Sequence, residues 1–117
     1  MSRRKVLVVD DDEAVLDFLR AKLGARYDLL AVSEAERVVQ LARDARPDLI
    51  LCDIDMPGMD GGDVSAALFA DDETRGIPVL FLSALLGAEQ QVGGRPAIAK
   101  SAPLAELIAR IEAILKA

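Results

Sequence analysis

The segment Leu49-Ile50-Leu51-Cys52 is a run of four apolar residues that ends on a carboxylate, Asp53, and soon reaches a Pro-Gly turn at Pro57 and Gly58. A short apolar run closed by turn residues reads as a strand buried on both faces, the kind found in the middle of a parallel sheet. In open α/β sheets the carboxyl ends of the strands border the crevice where ligands bind. An acid at that end is aimed at a site rather than at bulk water, so Asp53 is the residue the other motifs must explain.

The rest of the chain supplies the flanking units. Lys5 to Val9 is a Val-rich run closed by Asp10-Asp11-Asp12, and Val15, Leu16, Leu19 and Leu23 follow at helical spacing up to Gly24. Tyr27 to Val32 reads as a second strand. Ser33 with Glu36 three residues on predicts a capping box for a helix that turns Val38, Leu41, Ala42 and Ala45 inward, before Pro47 breaks it. After the central strand, Gly61-Gly62 precede a helix with Val64, Ala67 and Leu68 inward, and Pro78 to Leu82 form a fourth strand ending at Ser83. Between 84 and 95 the sequence predicts at most a short helix near Leu85 to Gln91, then a turn at Gly93-Gly94. Ala97 to Ala99 make a fifth strand ending at Lys100. Ser101 is placed to cap a last helix with the apolar stripe Leu104, Leu107, Ile108, Ile111 and Leu115.

Five β/α alternations without repeats or low-complexity linkers imply a parallel sheet covered by helices on both faces, because right-handed crossovers put them there. The expected fold is α/β, a doubly wound five-stranded parallel sheet of flavodoxin-like order 2-1-3-4-5, with its fourth helix short or distorted. At 117 residues with 52% hydrophobic content the chain suits one domain with an aliphatic core. A net charge of −6 with no His argues against a direct nucleic-acid partner, which needs a basic face. With no apolar run near the roughly 20 residues of a membrane span, and no signal peptide, the expectation is no membrane contact and a cytoplasmic location. Cys52, the single cysteine, reads as a small core residue, with a redox role as its alternative.

Asp10, Asp11, Asp53, Ser83 and Lys100 all stand at strand ends, and in a doubly wound sheet these project from one edge. Carboxylates gathered there repel one another unless a cation neutralises them. All-oxygen ligation favours Mg²⁺, which leaves room for a phosphate oxygen. Asp53 is then placed to attack a phosphoryl group, with Mg²⁺ and Lys100 stabilising the transferred charge and the Ser83 hydroxyl donating to a phosphate oxygen. Each residue also has a plainer role: Asp10 to Asp12 as an acidic helix start, Lys100 as a solvated surface charge, Ser83 as a turn residue.

The ordered set Val8-Val9-Asp10-Asp11-Asp12, Asp53-Ile54-Asp55-Met56-Pro57-Gly58-Met59-Asp60-Gly61, Ser83-Ala84 and Lys100 resembles the receiver domain of two-component response regulators, from about Lys5 to Leu115. The resemblance implies that Asp53 accepts phosphate from a sensor histidine kinase, a phosphotransfer protein or a small phosphodonor. It also implies that Asp10, Asp11, Asp53 and the backbone carbonyl of Asp55 hold Mg²⁺, while Ser83 and Lys100 contact the phosphoryl group. Such a protein is no general enzyme; it catalyses only its own phosphorylation and dephosphorylation. The expectation is one receiver domain over 1–117 without an output domain, passing its signal to an unknown downstream protein by contact.

Three positions depart from that family's usual pattern. Ser101 follows the lysine where proline, often cis, is usual; a cis bond to a non-proline residue costs about 2.5–4 kcal/mol, so a trans bond is expected. Ala97 occupies the position of the family's switch aromatic. The segment from Ser83 to Lys100 is short and holds Gly87, Gly93 and Gly94, which predicts a non-standard output surface ordered through Ser83 on phosphorylation. Two other functions compete: a degenerate receiver that binds protein without phosphate, and a haloacid dehalogenase-type phosphohydrolase suggested by the Asp53-Ile54-Asp55 spacing. The latter places its motif on the first strand, whereas here it falls on the third.

Overall fold

All five residues of the central strand, Leu49–Asp53, are buried, and the strand pairs in parallel with a neighbour on each side. The computed structural model describes residues 3–54, 56–84, 90–92 and 95–116, with 90–92 described by backbone alone. Its elements are β1 (Lys5–Val9), α1 (Glu13–Leu23), β2 (Asp28–Val32), α2 (Val38–Ala45), β3 (Leu49–Asp53), α3 (Gly61–Ala70), β4 (Val79–Ser83), β5 (Gln90–Val92), β6 (Arg95–Ala99) and α4 (Leu104–Lys116); a 3₁₀ turn at Ala35–Arg37 leads into α2. The sheet order is β2-β1-β3-β4-β6-β5. Its first five strands are parallel and reproduce the expected 2-1-3-4-5 order; β5 adds a short antiparallel strand at the edge.

Strand side chains alternate between faces, and the core divides accordingly. Leu7, Val9, Ile50, Cys52, Val79, Phe81 and Ala97 pack in one cluster with residues of α2 and α3. Val6, Val8, Leu49, Leu51, Leu80, Leu82 and Ile98 pack in the other with α1 and α4. The predicted stripe of the last helix lies in this second cluster: Leu107 and Ile111 are buried, with Leu104, Ile108 and Leu115 partly so.

Four local expectations need correction or placement. The segment from Leu85 to Gln91 does not end as a helix, because Gln90 and Gln91 belong to β5 and pair with Ala97 and Pro96; residues 85–89, including Gly87, and the Gly93-Gly94 turn lie outside the described residues. The Ser33/Glu36 capping box does not form: the 3₁₀ turn starts from Glu34 without a side-chain cap, and α2 begins only at Val38. The capping box sits instead on α3, where Asp60 accepts from Asp63 N at 2.9 Å and Asp63 accepts from Asp60 N at 3.2 Å. Ser101 lies too far upstream to cap α4, which starts at Leu104 with the Pro103 carbonyl accepting its first backbone bonds. As expected, the Lys100–Ser101 peptide is trans, since no described peptide bond is cis.

Candidate functional site

Sheet register assembles the site. Val9 is level with Cys52 on β3, so the next residues, Asp10 and Asp53, leave their strands side by side. Ser83 is level with Ala99, and the Lys100 amide donates to the Ser83 carbonyl at 2.7 Å. The period of two then assigns faces: Val6, Val8, Leu49, Leu51 and Ile98 belong to the α1/α4 cluster, so Asp10, Asp53 and Lys100 share that side. Ser83 continues the parity of Phe81, toward the other face, and is buried at its strand end.

The result is a compact charged pocket. Carboxylate oxygens of Asp10, Asp11 and Asp53 all lie within 4.8 Å of one another. Asp10 is fully buried and Asp53 nearly so, while Asp11 faces solvent. Lys100 Nζ stands 2.8 Å from Asp10 Oδ2 and 3.1 Å from Asp53 Oδ1. Burial pulls the Lys100 ammonium down, but hydrogen bonding and attraction from Asp10 and Asp53 outweigh it and raise its pKa above the ordinary lysine value. Asp12 belongs to the helix: its side chain caps α1 by accepting from Ala14 N at 2.9 Å, and its own amide donates to Asp10 Oδ1 at 2.9 Å. The plain acidic-helix-start role thus falls to Asp12, leaving Asp10 and Asp11 in the cluster.

Three carboxylates against one ammonium leave two negative charges uncompensated among the described residues. Two carboxylates about 4 Å apart repel by about 4 kcal/mol at an effective dielectric of 20. Asp10 Oδ2 is buried, and the Lys100 ammonium at 2.8 Å is its partner. An oxygen-only donor set and a deficit of two charges fit a hard divalent cation. Asp55, expected to add its backbone carbonyl, lies outside the described residues.

Two glycines shape the loop beneath the site. Gly58 has φ +85, a conformation that favours glycine, and a Cβ there would stand 2.8 Å from Glu36 Oε1. Glu36, predicted as half of a capping box, therefore packs against the turn after β3 instead. Gly61 donates to the Ile54 carbonyl at 2.6 Å and leaves room for the Phe81 ring. Sequence reading missed both contacts because neither partner is near in sequence. Beside Lys100, a groove of about 260 Å³ runs between α1 and α4, with Val15 and Phe18 on one wall and Leu104 and Leu107 on the other.

The chain matches the family model described as Response regulator receiver domain over residues 6–112. It is 35% identical to the DNA-binding response regulator MtrA of Mycolicibacterium paratuberculosis, over 97% of this chain and 52% of that protein. With the transcriptional regulatory protein PrrA of Mycobacterium leprae it shares 37% identity over 99% of this chain and 52% of that one. Among solved structures it superimposes on the receiver domain of the Francisella response regulator 1452 with a TM-score of 0.82 at 26% identity, covering 97% of this chain and 98% of that one. The chain spans about half the length of the curated relatives it matches.

These relatives correct one expectation. The acidic balance argues against a direct nucleic-acid partner, yet a relative 35% identical over 97% of this chain and 52% of its own length is named as DNA-binding. Net charge describes only the surface it is summed over, so −6 on this chain says nothing about a longer protein. Among the described residues no helix is long and apolar enough to cross a membrane.

Proposed function

Because the chain belongs to the response regulator receiver domain family of two-component signalling, we propose that Asp53 accepts a phosphoryl group from a phosphohistidine of a sensor kinase or phosphotransfer protein. The observation that carries this reading is the set of three carboxylates within 4.8 Å with Lys100 Nζ at 2.8 and 3.1 Å from two of them.

An Asp53 oxygen attacks phosphorus in line with the donor's P–N bond. The P–O bond forms as the P–N bond breaks, and the imidazole leaves with the electron pair and takes up a proton. Lys100, already between Asp10 and Asp53, carries positive charge toward the phosphoryl oxygens, and Ser83 donates its hydroxyl to one of them. Asp10, Asp11 and Asp53 would hold Mg²⁺, which would supply positive charge to neutralise the transferring group. Dephosphorylation is attack of water on the same phosphorus, returning the Asp53 carboxylate and inorganic phosphate. The groove between α1 and α4 borders Lys100 and gives the donor protein an apolar footing beside the reacting atoms.

Output runs through protein contact. The similarity to DNA-binding response regulators supports a DNA-binding segment as one recipient of the signal.

Phosphorus NMR of the chain with phosphoramidate and Mg²⁺ tests the reading. The expected result is an acyl-phosphate resonance that disappears in Asp53→Ala. A resonance that survives that substitution moves the acceptor elsewhere, and no resonance under any condition favours a phosphate-independent binding module.

A further inference from the structure

Helix α3 carries a second feature that phosphoryl transfer does not use. A crossover between neighbouring parallel strands is usually a helix lying on the sheet. Between β4 and β6 the described residues instead contribute the antiparallel strand β5 and no helix. On the flank of α3 there is a groove of about 220 Å³ bordered by Gly62, Ser65, Ala66, Phe69 and Arg95. From 62 to 69 it follows two helical turns, about 10 Å.

The walls differ in chemistry. Gly62 and Ala66 add little bulk, while Phe69 is 63% exposed, the more exposed of the two large surface aromatics. The Arg75 guanidinium stands 5.6 Å from the Phe69 ring centroid and pairs with Asp72 at 2.8 Å. Arg95 differs. It donates to the Ile77 carbonyl at 3.1 Å, and among the described residues no carboxylate pairs with it. Arg3 and Arg26 also have no acid within 4.0 Å among the described residues, but both are exposed, whereas Arg95 is half-buried. Burial draws the Arg95 pKa down, the mark of a cation partly stripped of water, with a backbone carbonyl rather than an acid as its partner. A guanidinium in that state, with donors remaining on its fork, suits a carboxylate. The volume, about 220 Å³, is below the roughly 300–1,000 Å³ of sites for drug-sized ligands and suits the edge of a short peptide.

We propose that this groove docks an acidic peptide segment of a partner protein, seating one apolar side chain against Phe69 and one carboxylate on Arg95. The surface is separate from the carboxylate edge, so the two functions fail independently.

Nitrogen-15 spectra of the full chain, titrated with the capped peptide Glu-Glu-Phe-Leu-Glu-Glu, test the proposal, with Lys-Lys-Phe-Leu-Lys-Lys and Glu-Glu-Gly-Gly-Glu-Glu as controls. The expected result is saturable shifts at Gly62, Ala66 and Arg95 with the first peptide alone, weakened at least tenfold in Arg95→Gln and in Phe69→Ser. Phe69→Ser removes an exposed ring, so it keeps the test valid should Arg95→Gln fold poorly. Equal affinity in both variants, shifts confined to other residues, or no saturation at millimolar peptide would overturn the proposal. Concentration-dependent broadening of the same resonances without peptide would also overturn it, assigning the groove to a second copy of the chain.

Discussion

Lys100 Nζ lies nearer to Asp10 than to Asp53, 2.8 Å against 3.1 Å, and Asp10 is the fully buried member of the pair. The lysine thus offsets the charge of the deeper acid while also pairing with Asp53, the proposed acceptor. Breaking a buried ion pair from one side costs about 3–5 kcal/mol, because the remaining charge is left uncompensated. With 23% of the Lys100 side chain exposed, solvent screening lowers that to about 2–3 kcal/mol. Lys100→Met is expected to lower the urea midpoint accordingly, and saturating Mg²⁺ to recover most of the loss. Unchanged stability without metal would mean that the two ion pairs do not form.

Metal linkage gives a second prediction. A ligand that binds only the folded state at ten times its Kd adds about 1.4 kcal/mol, a rise in Tm of about 5 °C for a domain of this size. Mg²⁺ is expected to produce such a rise in the wild type and little or none in Asp10→Asn or Asp53→Asn. Calorimetry with and without EDTA measures it.

At Gly61 a Cβ would meet Ile54 Cα at 3.1 Å and the Phe81 ring at 3.2 Å. Phe81 is fully buried and cannot yield. Overpacking of this kind costs about 1–3 kcal/mol, so Gly61→Ala is expected to be destabilised by that amount while Gly62→Ala, whose nearest neighbour is the Asp60 side chain at 3.3 Å, changes little. Paired denaturation curves decide between them.

Cys52 supplies a pH signature. Burial first, then the charges of Asp53 and Asp10, push its thiol up to about 12 from 9.0. A folded pKa above the unfolded one means that only the unfolded chain loses this proton between pH 9 and 12, so stability falls as pH rises through that window. The slope is at most about 1.4 kcal/mol per pH unit. Tyr27, also raised by burial and by its bond to Glu112, adds a like slope only above about pH 10. Between pH 9 and 10, Cys52→Ala is therefore expected to flatten the pH dependence of the urea midpoint.

What the sequence disclosed follows from the range of the forces involved. Apolar runs and strand-end acids are local, and one sheet register suffices to bring Asp10, Asp53 and Lys100 together. Capping was less legible: Ser33 and Asp60 both stand three residues before an acid, but only the Asp60 pair closes a box. The contacts of Glu36 with Gly58 and of Gly61 with Phe81 join residues about 20 apart in sequence, where no local pattern marks them. The sequence predicts at most a short helix near Leu85 to Gln91, but Gln90 and Gln91 pair with Ala97 and Pro96 of β6, because strand formation depends on such partners more than on local preference.

On the proposed chemistry, Asp53 holds phosphate only when a divalent ion balances the acids beside it. Intact-mass measurement after incubation with phosphoramidate, across a Mg²⁺ titration and with EDTA, tests this most directly. The prediction is a gain of one phosphoryl group in the wild type that rises with Mg²⁺, vanishes with EDTA and is absent in Asp53→Ala. A gain independent of Mg²⁺, or one retained in Asp53→Ala, would contradict it.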